Sequence, residues 1–154
     1  MAEFDLHSIE QPIKTGQWNL LSNLCRVSPV PIALDEELIS MTNEKDRIKM
    51  LDKVNPSYIV LKPSLFGGFS ESEKWIHLAK KRNIGWWITS ALESNIGLNA
   101  IAQWTSIMKP NGFQGLGTGQ LFSNNIPSPL KMINGRLWMD NAPIWTEVKQ
   151  FTSR

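Results

Sequence analysis

Polar and ionisable side chains follow four short apolar segments, at the point where each segment stops. Glu10 closes the first run, Asp35 and Glu36 follow the second, Lys62 follows the third, and Thr89 and Ser90 follow the fourth. Paired carboxylates with bound water supply the oxygen ligands that Mg²⁺ prefers, and a neighbouring lysine can donate or accept a proton. A bound divalent ion also stabilises negative charge next to a substrate carboxylate. The residue types therefore predict metal-assisted proton transfer, provided that the side chains meet.

The elements that would bring them together are short strands separated by helices. The apolar runs do not alternate with polar residues, which is typical of strands buried on both faces of a parallel sheet. Amphipathic segments predicted to be helices lie at about 18–27, 44–54, 70–82 and 96–108, and a last short strand is predicted at 115–118. This alternation predicts an α/β fold built from βαβ units. The strand ends would share one rim, where (β/α)8 barrels carry their chemistry.

Each of these rim residues also has a purely structural interpretation. A carboxylate after a strand often caps the next helix, and a lysine at that place is often solvated. Three such residues in register on consecutive strands favour a site.

Two local patterns predict further structure. Ser70 and Glu73 have the spacing of a capping box, which predicts a helix that begins after Ser70. Asn134-Gly135 separates two apolar segments and predicts a β-hairpin with a type I′ turn. Residues 141–154 carry no functional pattern.

Composition excludes several classes of partner. A net charge of +2 with 19% charged residues is too weakly basic for nucleic-acid binding. The single cysteine, Cys25, cannot form an internal disulfide, which favours a reducing compartment. No apolar stretch reaches the roughly 18 residues that a membrane span needs, and the first residues lack the pattern of a signal peptide. We therefore expect a cytoplasmic protein without a membrane partner.

Five segments resemble, in order, the strand-end motifs of o-succinylbenzoate synthases, which belong to the enolase superfamily with mandelate racemase and muconate lactonizing enzyme. They are residues 7–12 (His-Ser-Ile-Glu-Gln-Pro), 32–38, 59–65, 88–97 and 114–119. The resemblance spans about residues 4–130. It implies the C-terminal part of a (β/α)8 barrel, about strands four to eight, at 1–126, followed by a hairpin and tail at 127–154.

The resemblance assigns a role to each rim residue. Glu10 and Asp35 match the second and third metal-binding carboxylates, and Lys62 matches the catalytic lysine. Thr89 and Ser90 match a substrate-holding segment, and Gly115 matches a backbone position that lines the pocket. Glu36 is expected to support Asp35 from outside the metal's ligand set.

The implied activity is that of a Mg²⁺-dependent lyase acting on a small-molecule carboxylate. Loss of water from that substrate gives o-succinylbenzoate, an aromatic menaquinone precursor. The alternatives are an N-acylamino acid racemase or dipeptide epimerase of the same superfamily, and a non-catalytic half-barrel that associates with itself. The family's strand-two lysines and strand-three Asp have no counterpart here, so we expect an incomplete site that needs a second copy or a complementing N-terminal half.

Overall fold

Four strands lie side by side in one sheet in the computed structural model of the protein, which describes residues 2–117 and 121–140. They are β1 (Ile9–Glu10), β2 (Ile32–Leu34), β3 (Tyr58–Leu61) and β4 (Gly85–Ile88), in that order. The β1–β2 and β2–β3 pairs are parallel, with Glu10 opposite Ala33 and Leu34 opposite Ile59. The predicted parallel pairing is confirmed for β1, β2 and β3, although β1 is shorter than the apolar run from which it was predicted.

Helices follow the four strands and supply the rest of the core. They are α1 (Trp18–Val27), α2 (Glu44–Val54), α3 (Phe69–Lys80) and α4 (Asn95–Met108). All residues of β2 are buried, and so are the last three residues of β3. Burial on both faces explains why these segments are continuously apolar.

A buried arginine joins α2 to α3. The Arg47 guanidinium donates to a Glu71 carboxylate oxygen at 2.7 Å and to the Met41 carbonyl at 2.8 Å. It also lies 5.1 Å from the centre of the Trp75 ring. Because a buried charge is costly without partners, these contacts fix how α2 packs on α3.

Helix α3 begins earlier than its capping-box pattern predicts. Its first residue is Phe69, and Gly68, with φ +92°, is the N-cap. Ser70 therefore lies inside the helix, and the prediction that Ser70 caps it is wrong. A glycine adopts this positive φ at little cost, so the chain can turn into the helix before Ser70.

The chain divides into two compact units, residues 1–87 and 88–154, and the division falls within β4. The second unit contains α4 and a hairpin of β5 (Leu130–Ile133) and β6 (Arg136–Met139), which pair in antiparallel fashion. Asn134 and Gly135 have φ +50° and +73°, as a type I′ turn requires, so the predicted hairpin is confirmed. The predicted last strand is reduced to one bridge between Thr89 and Gly115.

Parts of two predictions lie outside the described residues, namely Thr118 and the tail 141–154. The boundary between a partial barrel at 1–126 and a hairpin with tail at 127–154 stays a prediction. Among the described residues, no helix has both the length and the apolar character needed to cross a membrane.

Candidate functional site

Asp35 and Lys62 meet at the ends of neighbouring strands. Each is the first residue after its strand, β2 for Asp35 and β3 for Lys62. The Lys62 ammonium donates a hydrogen bond to Asp35 Oδ2, and the two side chains form an ion pair. Only 19% of the Lys62 side chain and 6% of the Asp35 side chain are exposed. The predicted convergence of these two residues is thus present in the fold.

The second oxygen of Asp35 lacks a hydrogen-bond partner among the described residues. Oδ1 is buried and accepts no hydrogen bond within the part of the chain that the structure describes. Burial raises the pKa of Asp35 above its ordinary value, and the hydrogen bond and charge of Lys62 oppose that rise. A buried acceptor without a donor is costly, so this oxygen is suited to a ligand that supplies positive charge.

Glu10 lies within electrostatic reach of this pair. Partial burial raises the pKa of Glu10, the negative charge of Asp35 raises it further, and Lys62 lowers it. Like charges disfavour each other's ionised forms, whereas a cation between them favours both. A cation bound by both Glu10 and Asp35 would relieve this repulsion between the two carboxylates.

Glu36 is exposed, and its charge raises the pKa of both Glu10 and Asp35. This places it near the two carboxylates. The role expected for it, support of Asp35, stays a prediction.

A divalent cation fits the two carboxylates. Glu10 and Asp35 offer the oxygen ligands that Mg²⁺ prefers, and Asp35 Oδ1 is an unused acceptor. Across residues 2–117 and 121–140, no cluster of three or more His, Cys, Asp or Glu could hold a metal. Further ligands would be water, substrate or groups outside the described residues.

Two residues around the Asp35 turn, Gln11 and Glu37, were missed by the sequence analysis. The side chain of Gln11 accepts hydrogen bonds from the backbone amides of Asp35 and Glu37. Glu37, rather than its exposed neighbour Glu36, is the buried carboxylate of the turn. The one feature of the sequence that could have suggested a buried Glu37 is the apolar residue Leu38 directly after it.

In the second unit, Thr89 and Ser90 are both tied to Gly115. The Thr89 hydroxyl and the Ser90 amide donate to the Gly115 carbonyl at 2.8 and 3.0 Å. Gly115 N donates to Ile88 O at 2.8 Å, and the Gln114 side chain accepts from Ile88 N at 2.8 Å. The structure therefore brings these three predicted residues together, while substrate contact by them stays a prediction.

The close approach at Gly115 predicts a marked effect of adding a methyl group. A Cβ at Gly115 would lie 2.8 Å from the Thr89 Cβ, too close for ordinary packing. We expect Gly115→Ala to lower the free energy of unfolding by about 1–3 kcal/mol, measured by urea denaturation. Gly117→Ala is the matched control, because among the described residues its Cβ would meet only Met132 Cε, at 3.5 Å. Equal losses in the two variants would contradict the close approach.

Comparison with known proteins places the chain in a family. Residues 1–143 match the family model described as enolase C-terminal domain-like. The chain belongs to this family. It is 58% identical over 137 residues to o-succinylbenzoate synthase of Desulfotalea psychrophila, covering 89% of this chain and 37% of that enzyme.

Solved structures agree with this membership. This enolase C-terminal domain-like chain superposes on the crystal structure of MenC from Desulfotalea psychrophila with a TM-score of 0.84 and 57% identity, covering 88% of the chain and 38% of MenC. Muconate lactonizing enzyme from Pseudomonas putida shares the fold, with a TM-score of 0.76 at 22% identity, over 88% of this chain and 38% of that one. The fold is the predicted α/β fold and matches the C-terminal part of (β/α)8-barrel enzymes. The chain spans less than two fifths of the length of these relatives.

Proposed function

We propose that this chain carries part of the metal site and one catalytic lysine of a Mg²⁺-dependent lyase of the o-succinylbenzoate synthase type. The observation that carries the proposal is the buried Asp35–Lys62 pair, in which Asp35 Oδ1 accepts no hydrogen bond from the described residues. Similarity to the synthase of Desulfotalea psychrophila supports this chemistry among those known for the fold.

Each residue at the end of a strand has a distinct task in this proposal. Glu10 and Asp35 hold the cation, which when bound stabilises negative charge on the substrate carboxylate. Lys62 keeps a proton-bearing nitrogen at the rim, held in place by its hydrogen bond to Asp35. The hydroxyls of Thr89 and Ser90 and the backbone of Gly115 are proposed to contact the substrate, on the basis of the family resemblance.

We propose that catalysis needs further groups from outside this chain. The relatives are more than twice as long, and two carboxylates alone bind Mg²⁺ weakly. A complementing N-terminal segment is the source that we favour, and a second copy of the chain is the alternative. The proposed product is o-succinylbenzoate for menaquinone biosynthesis in the cytoplasm.

A chimaera tests the substrate class. This chain would replace the matching C-terminal part of the Desulfotalea psychrophila enzyme, and the fusion would be offered two substrates with Mg²⁺. One is the carboxylate precursor that loses water to give o-succinylbenzoate, and the other is an N-acylamino acid. We expect formation of the aromatic product, abolished by a metal chelator. Racemisation of the N-acylamino acid without dehydration would contradict the lyase assignment, and so would inactivity of a folded fusion.

A further inference from the structure

Gln11 connects the end of β1 to the turn that carries Asp35. Its backbone amide continues the β1–β2 ladder by donating to Ala33 O at 2.9 Å. Its side-chain oxygen, Oε1, then accepts from the backbone amides of Asp35 at 3.1 Å and of Glu37 at 3.2 Å. One oxygen thus fixes the backbone of Asp35 and the turn that follows it.

The nitrogen of the same amide group is also occupied. Nε2 donates to the Ile13 carbonyl at 2.9 Å and lies 3.4 Å from Glu37 Oε2. The amide therefore has partners on both its oxygen and its nitrogen, which determines how it is oriented.

We call the hydrogen bonds of the Gln11 side chain to the Asp35 turn the bracket. Glu37 extends the bracket to the start of α1. It is 2% exposed, and its carboxylate accepts from Gly16 N at 3.0 Å and from Trp18 Nε1 at 2.7 Å. Hydrogen bonds to a charged acceptor are stronger than neutral ones. The segment after β1 is thus held against the turn after β2 through Gln11 and Glu37.

The backbone of Gln11 is itself unusual. Its φ is +35°, which is uncommon for a residue other than glycine. Pro12 follows it, and a residue before proline normally favours an extended conformation. Such conformations persist only where the surroundings hold them, and they concentrate at functional sites. Here the surroundings are the hydrogen bonds around the Asp35 turn.

We infer that Gln11 is a positioning residue for the reaction. It sets the backbone of Asp35 so that one carboxylate oxygen meets Lys62 while the other remains available to a cation. What the positioned carboxylate then does rests on the proposed function. The bracket can be tested in this chain without an enzyme assay. If it holds Asp35 against Lys62, breaking it weakens their ion pair and makes the Lys62 amine react faster with an acylating reagent.

The test is the rate at which an N-hydroxysuccinimide ester acylates Lys62, followed by mass spectrometry of the purified chain. Asp35→Asn is the reference, since it removes the charge that pairs with Lys62. Gln11→Leu removes both hydrogen bonds to the turn. We expect each of these variants to raise the rate of Lys62 acylation about two- to fivefold. This is the range that corresponds to the free energy of a partly exposed ion pair.

Two further variants distinguish a specific effect on the position of Asp35 from a general loss of stability. Trp18→Phe is the matched control, because it removes a donor to Glu37 without touching the Asp35 backbone. Gln11→Glu keeps an acceptor for both amides but places a carboxylate against Glu37. We expect both to lower the melting temperature while Lys62 keeps its wild-type rate.

Each outcome decides for or against the bracket. A wild-type Lys62 rate in Gln11→Leu, or an equal rise in Trp18→Phe, overturns the inference. No rise in Asp35→Asn overturns the ion-pair geometry on which it depends. If Gln11→Leu does not fold, Gln11→Glu decides, since a faster Lys62 there contradicts positioning through Oε1. If the chimaera were inactive while the acylation rates of Lys62 changed as expected, the proposed function would be wrong and the inference about Gln11 would still hold.

Discussion

Replacing Lys62 by methionine is expected to lower turnover of the chimaeric enzyme by about 10³-fold, the upper end of the range for loss of one group that stabilises charge in the transition state. Methionine keeps an unbranched side chain of similar length but removes the ammonium that donates to Asp35. Steady-state formation of the aromatic product measures the effect. Thermal melting checks that the fold survives.

Lys14→Met is the matched control for this substitution. Lys14 lies shortly after Glu10 in the sequence but is exposed, so its loss is expected to change turnover less than about twofold, as for surface substitutions away from a site. If Lys62→Met retained full activity, or if Lys14→Met lost as much, Lys62 would not be a catalytic residue.

Asp35→Asn is expected to stabilise the chain while it inactivates the enzyme. Burial raises the pKa of Asp35 although Lys62 opposes the rise, so on balance the fold disfavours the ionised carboxylate. The amide keeps the shape without that charge, so we expect a gain of roughly 0.5–2 kcal/mol at pH 7, as other single stabilising substitutions give. Urea denaturation measures it. Loss of a cation ligand is expected to lower turnover of the chimaera by at least about 10²-fold.

The sign of the pH dependence follows from the raised pKa. Between the unfolded and the higher folded pKa, the folded state binds more protons, so stability falls as pH rises through this window. The advantage of Asp35→Asn should therefore be present at pH 7 and vanish below the ordinary pKa of aspartate, about 3.9. A gain that persists unchanged at pH 3 would show that charge is not its cause.

Asp52→Asn provides a control of opposite sign. Asp52 is exposed and accepts from Arg82 Nε at 2.6 Å, and this hydrogen bond holds its pKa below the ordinary value. Its ionised form contributes stability above the unfolded pKa, and the contribution is lost as pH falls through the folded pKa. The substitution is therefore expected to lower stability slightly at pH 7, where Asp35→Asn raises it.

The convergence of Asp35 and Lys62 was predictable because it depends only on strand direction. Once β2 and β3 are recognised as parallel neighbours, the residue after each must lie at the same end of the sheet. Glu10 follows for the same reason, since β1 pairs with β2. The parallel strands could be recognised from their continuous apolar runs, because a strand buried on both faces contains few polar residues.

The bracket around Asp35 could not be predicted in the same way. Its hydrogen bonds join Gln11 to the turn 24 to 26 residues later, and no periodicity in the sequence encodes such contacts. Distinguishing the buried Glu37 from the exposed Glu36 requires knowing which way a single helical turn faces. That orientation depends on donors contributed by Gly16 and Trp18.

Two local errors have local physical causes. The start of α3 was predicted from the side-chain pattern of Ser70, whereas the backbone freedom of Gly68 decides it. The last strand was predicted as a run of residues, but in its described part, 115–117, the pairing is a single bridge between Gly115 and Thr89, the residue after β4. There the Gln114 side chain accepts from Ile88 N, in place of a backbone carbonyl.

The most direct test of the central claim is complementation by separate polypeptides. This chain and the N-terminal segment of the Desulfotalea psychrophila synthase would be purified apart, mixed with Mg²⁺, and assayed for the aromatic product. We expect no product from either piece alone and product from the mixture, and we expect that product to be lost when Asp35→Asn replaces the wild-type chain. If this chain alone formed product as fast as the mixture does, or if the mixture containing Asp35→Asn kept full activity, the proposed division of the site between the two polypeptides would be wrong.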